Sequence, residues 1–412
     1  MSANKWIRIY YNKMVESIAF YPALIATGFL GLSWAMLVLD FSPFGKEVKS
    51  SLSWLSLKDA GTARTIISTV AGAIISLTVF SFSMVMIVLN QAASQMSNRV
   101  LTSMIENRFQ QVILGIYIGT IVYALFLLST IRDISSGIYV PALSIYLLIV
   151  LTVIDIFLFI YFLDYVTQTV KYETVINRVR NHTFKTMESD FREVEQDKPT
   201  WLNLPSALIN SQKSDYFQGF NQSKLLDLTE KYQVKVSFLF RQGDFVLKGT
   251  PCMQVFGKGK TDADMLKNIA DCADFYTGQP IDKNADYGFR QLAEIAIKAL
   301  SPGINDPGTA VLALHALFAL LECRLYKQLP NFSETQKKEA TIYLPTSNFA
   351  EVFENCLQPI WKYGKEDDYI QTTFLKMLNQ IDQKDHRNKY ESLFISWLEK
   401  VQQQRDKNAL EN

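Results

Sequence analysis

Histidine and cysteine are scarce in this chain of 412 residues, with three of the first and four of the second. Cys252, Cys272, Cys323 and Cys356 stand far apart and form no C-x-x-C pair, and His182, His315 and His386 are isolated. Spacing therefore assembles neither a metal site nor a disulfide framework, and the scattered thiols suit a reducing compartment. Net charge is nearly absent, at +1. Without a basic run and interleaved aromatics, the chain carries no electrostatic footprint for nucleic acid. No nucleophile–base pair, metal cluster or phosphate loop emerges, so no catalytic residue, metal or cofactor is assigned.

Charge is also missing over long runs, of which the longest lies between Arg64 and Arg99. As a helix, residues 65–98 extend roughly 50 Å, against roughly 30 Å of hydrocarbon in a bilayer, and are expected to cross the membrane and continue beyond it. Thr65, Ser68, Thr69, Gly72, Ser76, Ser83, Asn90, Gln91 and Ser94 recur along it at helical spacing as one weakly polar stripe. Such a stripe either lines a wet path or lets helices pack closely, because small residues allow backbones to approach.

Segments 18–39, 65–89, 109–130 and 138–163 qualify as membrane spans by length and lack of charge. An even number of spans places both termini on one side. Lys5, Arg8, Lys13, Arg99, Arg108, Lys171, Arg178, Arg180 and Lys185 lie on that side, against Lys46, Lys49, Lys58, Arg64 and Arg132 opposite, a bias expected of the cytosol. The first span carries Ala23, Thr27, Gly31 and Ala35 at four-residue steps, and the third carries Gly115 and Gly119 as a G-x-x-x-G pair. These surfaces exceed what one four-helix bundle needs and predict a homo-oligomer in the lipid bilayer. Asp155 is the carboxylate that falls inside a predicted span, one or two turns from the cytosolic end. An ionisable group there marks an ion path, a proton site or a buried partner, unless the helix shifts it to headgroup level.

From Lys171 onward the composition becomes that of a soluble protein. Residues 1–170 read as a transmembrane domain, 171–198 as a linker or helical extension of the fourth span to about Arg180, and 199–412 as a cytosolic α+β domain. Strands are expected at 232–240, 245–247 and 252–256, separated by the turns Arg241-Gln-Gly-Asp244 and Lys248-Gly-Thr-Pro251. Their shape resembles small barrel-sandwich modules of biotinyl or lipoyl type, with no lysine at a modification hairpin. Helices follow at 262–272, 287–300, 307–325, 349–362, 367–381 and 386–404, with a polar, frayed tail at 405–412. The helix at 307–325 is apolar almost all round and expected to be buried, with His315 in its core. The fold class is thus an α-helical membrane domain of four transmembrane helices plus a cytosolic α+β domain, a small β-rich module followed by helices.

The densest chemistry signal is the turn Ala-Leu-Ser-Pro-Gly-Ile-Asn-Asp-Pro-Gly-Thr at 299–309. Ser301-Pro302-Gly303 stops one helix, and Asp306-Pro307 starts the next with Asp306 as N-cap. Ser301, Asn305, Asp306 and Thr309 are therefore a capping turn, or alternatively a site for a small ligand or ion at a helix N-terminus. This run, with the preceding Tyr-Gly-Phe-Arg-Gln-Leu-Ala-Glu-Ile-Ala, the segment 79–101 of the second span and Arg241-Gln-Gly-Asp-Phe-Val-Leu-Lys-Gly-Thr-Pro251, resembles the DUF2254 family of bacterial predicted membrane proteins. The resemblance implies a polytopic N-terminal part, a cytosolic domain, residence in the inner membrane and no established activity. Where the family pattern has paired histidines after the fourth span, this chain has Leu163-Asp164-Tyr165, and Gln279-Pro280 replaces an Arg-Thr pair.

The overlong second helix, its stripe and Asp155 together lead to an oligomeric ion channel or transporter-like protein. In that expectation the second helix faces the path and the cytosolic domain gates or assembles it. The alternative is a membrane-anchored sensor or scaffold whose cytosolic domain binds a ligand or protein partner.

Overall fold

The structure, a computed structural model, describes residues 19–51, 59–95, 108–131, 140–169, 171–193, 200–203, 206–257, 262–334 and 340–411. The chain divides into two compact units, Met1–Lys171 and Tyr172–Asn412. The first contains α1 (Phe20–Phe41), α2 (Pro43–Ser51), α3 (Ala60–Gln95), α4 (Arg108–Thr130) and α5 (Ala142–Thr169). Five helices among the described residues are long and apolar enough to cross a membrane: α1, α3 over Ala60–Val88, α4, α5, and Pro307–Arg324 in the second unit. Residues 96–107 and 132–139, between the second and third and between the third and fourth expected spans, lie outside the described residues.

Helix α4 is the hub of the first unit, packing against α1, α3 and α5. A Cβ added to Gly115 would sit 2.7 Å from Ile25 Cδ1, and one added to Gly119 would sit 2.7 Å from the Phe29 ring, so α1 rests on the G-x-x-x-G face. The ridge Ala23, Thr27, Gly31 and Ala35 points the other way and is exposed. At its end α1 meets α5. Asp40 is wholly buried, and its carboxylate accepts hydrogen bonds from the Leu143 amide at 3.0 Å, the Ser144 amide at 2.8 Å and the Ser144 hydroxyl. Lys49 of α2 donates to the Asp40 carbonyl at 2.6 Å and pairs with its carboxylate at 3.2 Å. The first amides of α5 lack partners within their own helix, so a carboxylate from another helix satisfies them and meets the positive end of the helix dipole.

The second unit opens with α6 (Tyr172–Asp190). The expected continuous helix to Arg180 is instead two helices, because α5 closes at Thr169 with the Lys171 amide turned back onto the Gln168 carbonyl. A five-stranded mixed sheet has the order β1 (Ser206–Asn210), β5 (Pro251–Phe256), β3 (Lys235–Phe238), β8 (Ala340–Tyr343), β7 (Phe332–Glu334). A three-stranded sheet pairs β4 (Phe245–Val246), β2 (Asp215–Phe220) and β6 (Ala273–Phe275). The expected barrel-sandwich shape is therefore corrected. Strand β3 pairs in parallel with β8 from far along the chain, and β4 leaves for the other sheet. Both predicted turns form: Gly243 (φ +100) and Gly249 (φ +84) adopt left-handed backbone that only glycine enters at little cost.

The helices α7 (Gln222–Tyr232) and α8 (Ala263–Ala270) cover the sheets, and α9 (Asp286–Ala299), α10 (Pro307–Arg324), α11 (Phe349–Gly364), α12 (Asp368–Lys384) and α13 (Glu391–Glu411) form a bundle beside them. Helix α10 is central, packed against α6, α9, α11 and α12. Its exposed stripe is Leu312, His315, Ala319 and Glu322, so His315 is not a core histidine but lines a groove of about 210 Å³ with Met377 and Lys384 of α12. His182, read as isolated, bonds the Asp282 carboxylate. The expected frayed tail is helical to Glu411, anchored by buried Val401 and Asn408.

Helix α6 belongs to the core of its unit. Val175, Ile176, Val179, Thr183 and Met187 are buried, and a Cβ at Gly288 of α9 would lie 2.8 Å from Thr183 Cβ. Gly288→Ala is expected to force α6 and α9 apart and to cost about 1–3 kcal/mol, read as a lowered denaturation midpoint. A fragment starting at Tyr172 is expected to fold, whereas one starting at Lys185 should melt at a lower temperature or aggregate, as circular dichroism melts will show.

Candidate functional site

Inside the first unit, each long helix turns one face inward with helical spacing. On α3 that face is Ala63, Ile67, Ala71, Ile74 and Ser81; on α4 it includes Ile113, Tyr117, Thr120, Ala124 and Leu127; on α5 it runs through Leu148, Asp155, Phe162 and Val166. The apolar members form two clusters, one around Ala124, Leu127 and Leu148 and the other around Ile74, Tyr117 and Phe162. Thr120 and Asp155 fall between them along the chain, with Ser81 beside the second. Polar atoms thus interrupt an otherwise dry core.

Asp155, Thr120 and Ser81 are 0% exposed, as is Tyr117. Asp155 is an electrostatic neighbour of Tyr117; the Thr120 hydroxyl approaches its carboxylate, and Ser81 approaches the Tyr117 hydroxyl. None of these approaches closes into a hydrogen bond, and both Asp155 oxygens and all three hydroxyls are left without a partner. Their neighbours behave differently. Ser76, Thr78 and Ser83 on α3, and Thr152 on α5, each donate to the carbonyl four residues earlier at 2.7–3.0 Å. In a water-poor core each unpaired polar group is costly, and a charged one far more so. Helix α5 runs Ala142–Thr169, and Asp155 stands midway along it.

The stripe on α3 lies elsewhere. Thr65, Ser68, Gly72, Ser76, Ser83 and Asn90 are exposed on the face turned away from the chain's own bundle. Gln91 and Ser94 belong to α3, but their side chains lie outside the described residues. Sequence reasoning missed Ser81, Tyr117, Thr120 and Asp40. The available signal was periodicity, since Ser81 continues the positions of Ile67 and Ile74 and Thr120 follows Tyr117 by three.

The turn at 299–309 builds from its residues into a linker between α9 and α10. Asp306 caps α10: its Oδ1 accepts from the Thr309 amide at 3.0 Å and its Oδ2 from the Thr309 hydroxyl at 2.6 Å, with Pro307 in the first turn. Asn305 takes left-handed backbone (φ +49), and Ser301 donates to the Lys298 carbonyl at 2.6 Å. Asp306 is also an electrostatic neighbour of Tyr172, the first residue of the unit. The four residues come together, with Asp306, Thr309 and Ser301 occupied in local hydrogen bonds.

A second polar cleft lies beside the Gly243 turn. Arg324 is 2% exposed, pairs with Asp286 and donates to the Ser347 carbonyl at 2.8 Å, stacked 5.0 Å from Phe191. Arg241 donates to Glu351 at 2.8 Å. Burial alone would raise the Glu351 carboxyl, but the bonds from Arg241 and the Asn348 amide outweigh it and hold it below the usual range. Burial pushes the Tyr287 hydroxyl up to about 12, against the opposing bond to Gln218.

The sequence matches the profile of a family described as "Predicted membrane protein (DUF2254)" over residues 15–380. It is 24% identical over 336 residues to uncharacterized protein Rv1290c of Mycobacterium tuberculosis strain H37Rv, covering 78% of this chain and 64% of that protein. Uncharacterized protein Mb1321c of Mycobacterium bovis is similar to the same extent. The matched region spans less than two thirds of these curated relatives. No solved structure matches the chain.

Asp306→Ala is expected to lower stability by about 1 kcal/mol through loss of the cap, and Asp306→Asn by less, measured by denaturant unfolding. Because the Glu351 carboxyl is lower in the folded state, its contribution is present at neutral pH and is lost as pH falls through and below its usual value of 4.5. Glu351→Gln should therefore show a smaller drop in Tm than the parent between neutral and acid pH.

Proposed function

We propose that this chain, which belongs to the DUF2254 family of predicted membrane proteins, moves protons or small cations across a bacterial inner membrane with Asp155 as the charge-binding step. One observation carries this reading: a carboxylate with no exposure and no partner, midway along an apolar helix. A charge held there is strongly destabilised unless a cation or proton neutralises it, so occupancy and charge state are coupled. α1, α3, α4 and α5 serve as four spans. Helix α10 serves as soluble core instead, supported by the 61% burial of its most apolar window. The even count and the Lys/Arg bias support cytosolic termini.

The position of the α3 stripe alters the expected path. It faces out of the bundle, as do Ala23, Thr27, Gly31 and Ala35, while Asp155 faces in. The arrangement favours a path through each chain's own bundle, with the outward small-residue faces as contacts in a homo-oligomer. The sensor reading draws support from the groove of about 210 Å³ between α10 and α12, and predicts a thermal shift of the full chain with a metabolite.

Full-length protein reconstituted in liposomes is expected to pass protons or monovalent cations under an imposed gradient, and Asp155→Asn to lose at least about 90% of the flux. Wild-type flux in Asp155→Asn, or no flux from wild type at any voltage or pH, would sink the reading.

A further inference from the structure

We propose that Asp155, Thr120, Tyr117 and Ser81 form a sodium-ion site. This rests on the cation-translocation reading and names its substrate. The unpartnered atoms are all oxygens: two from Asp155 and one hydroxyl each from Tyr117, Thr120 and Ser81, drawn from three helices. Hard cations take oxygen ligands of this kind, from carboxylates and neutral donors together. The hydroxyls of Ser81 and Thr120 do not fold back on their own helices as those of Ser76, Thr78, Ser83 and Thr152 do. Thr120 lies beside the Asp155 carboxylate and Ser81 beside the Tyr117 hydroxyl, itself an electrostatic neighbour of Asp155.

A proton would neutralise Asp155 but leave the hydroxyl lone pairs unused, whereas a metal ion engages carboxylate and hydroxyls at once. Charge selects the valence. Among the described residues no ion pair involves Asp155, and no group of three His, Cys, Asp or Glu occurs. A monovalent cation cancels the single carboxylate, while a divalent one leaves a buried positive charge. Sodium, the smaller of the two common monovalent cations, is the ion proposed, and competition by potassium tests that choice. Gln111, whose Oε1 is also unpartnered, lies on a different face of α4 and is no ligand.

Purified full-length protein in nanodiscs is tested for equilibrium binding of radioactive sodium near neutral pH. One sodium ion per chain is expected, displaced by lithium and at least about tenfold less well by potassium. Asp155→Asn should abolish binding, and Thr120→Val and Tyr117→Phe should each weaken it by roughly tenfold or more while keeping the parent's elution and melting profile. Sodium should raise the Tm of the parent but not of Asp155→Asn. Absence of saturable sodium binding by folded parent, or binding unchanged in Asp155→Asn and Thr120→Val, overturns the site. Proton flux without sodium binding overturns the sodium site and leaves the transport reading standing. Sodium binding without flux supports the site and removes the transport reading.

Discussion

Two amides and a hydroxyl at the head of α5 point at one carboxylate from the tail of α1, and on this junction the first unit depends. In hydrocarbon no water is at hand for the unpaired amides of a helix end, so they must be met by protein or carried out to the interface. Asp40 meets them, and Lys49 balances its charge. The junction closes the circuit of helices around α4, whose glycines admit α1 to direct contact. With those ends fixed, the inward faces of α3, α4 and α5 are set, and Ser81, Tyr117, Thr120 and Asp155 share one interior.

Why the membrane unit was legible follows from the same physics. Long uncharged runs have one cheap conformation in lipid, and the expected segments 18–39 and 109–130 differ from α1 and α4 by one or two residues. The β-rich part was less legible. Strand β8 is four residues long and finds its parallel partner β3 across about a hundred positions, which no local pattern encodes. Helix α7 is preceded by Asn221, whose side chain accepts from the Lys224 amide as N-cap, a signal easily lost among neighbouring strands.

For the candidate site the sequence supplied one member of four. Asp155 stands out because charge is rare in such a segment, but serines and threonines are common there, and only packing reveals which way each faces. The polar stripe on α3 was visible as a pattern, yet a stripe can mark either side of a helix. Its outward orientation follows from Ala63, Ile67 and Ile74, which claim the inner face. In the turn at 299–309 chemistry and capping call for the same residues, and the geometry of Asp306 and Thr309 satisfies capping in full.

Asp155 stands midway along a helix of 28 residues. In the proposed function, an ion reaching it from either face traverses part of the transmembrane electric field, which across its full depth is worth about 2.3 kcal/mol per elementary charge for each 100 mV. Under that proposal, occupancy of the carboxylate is tied to membrane voltage even if no helix moves. A resting cell and a depolarised one would hold the same bundle in different charge states.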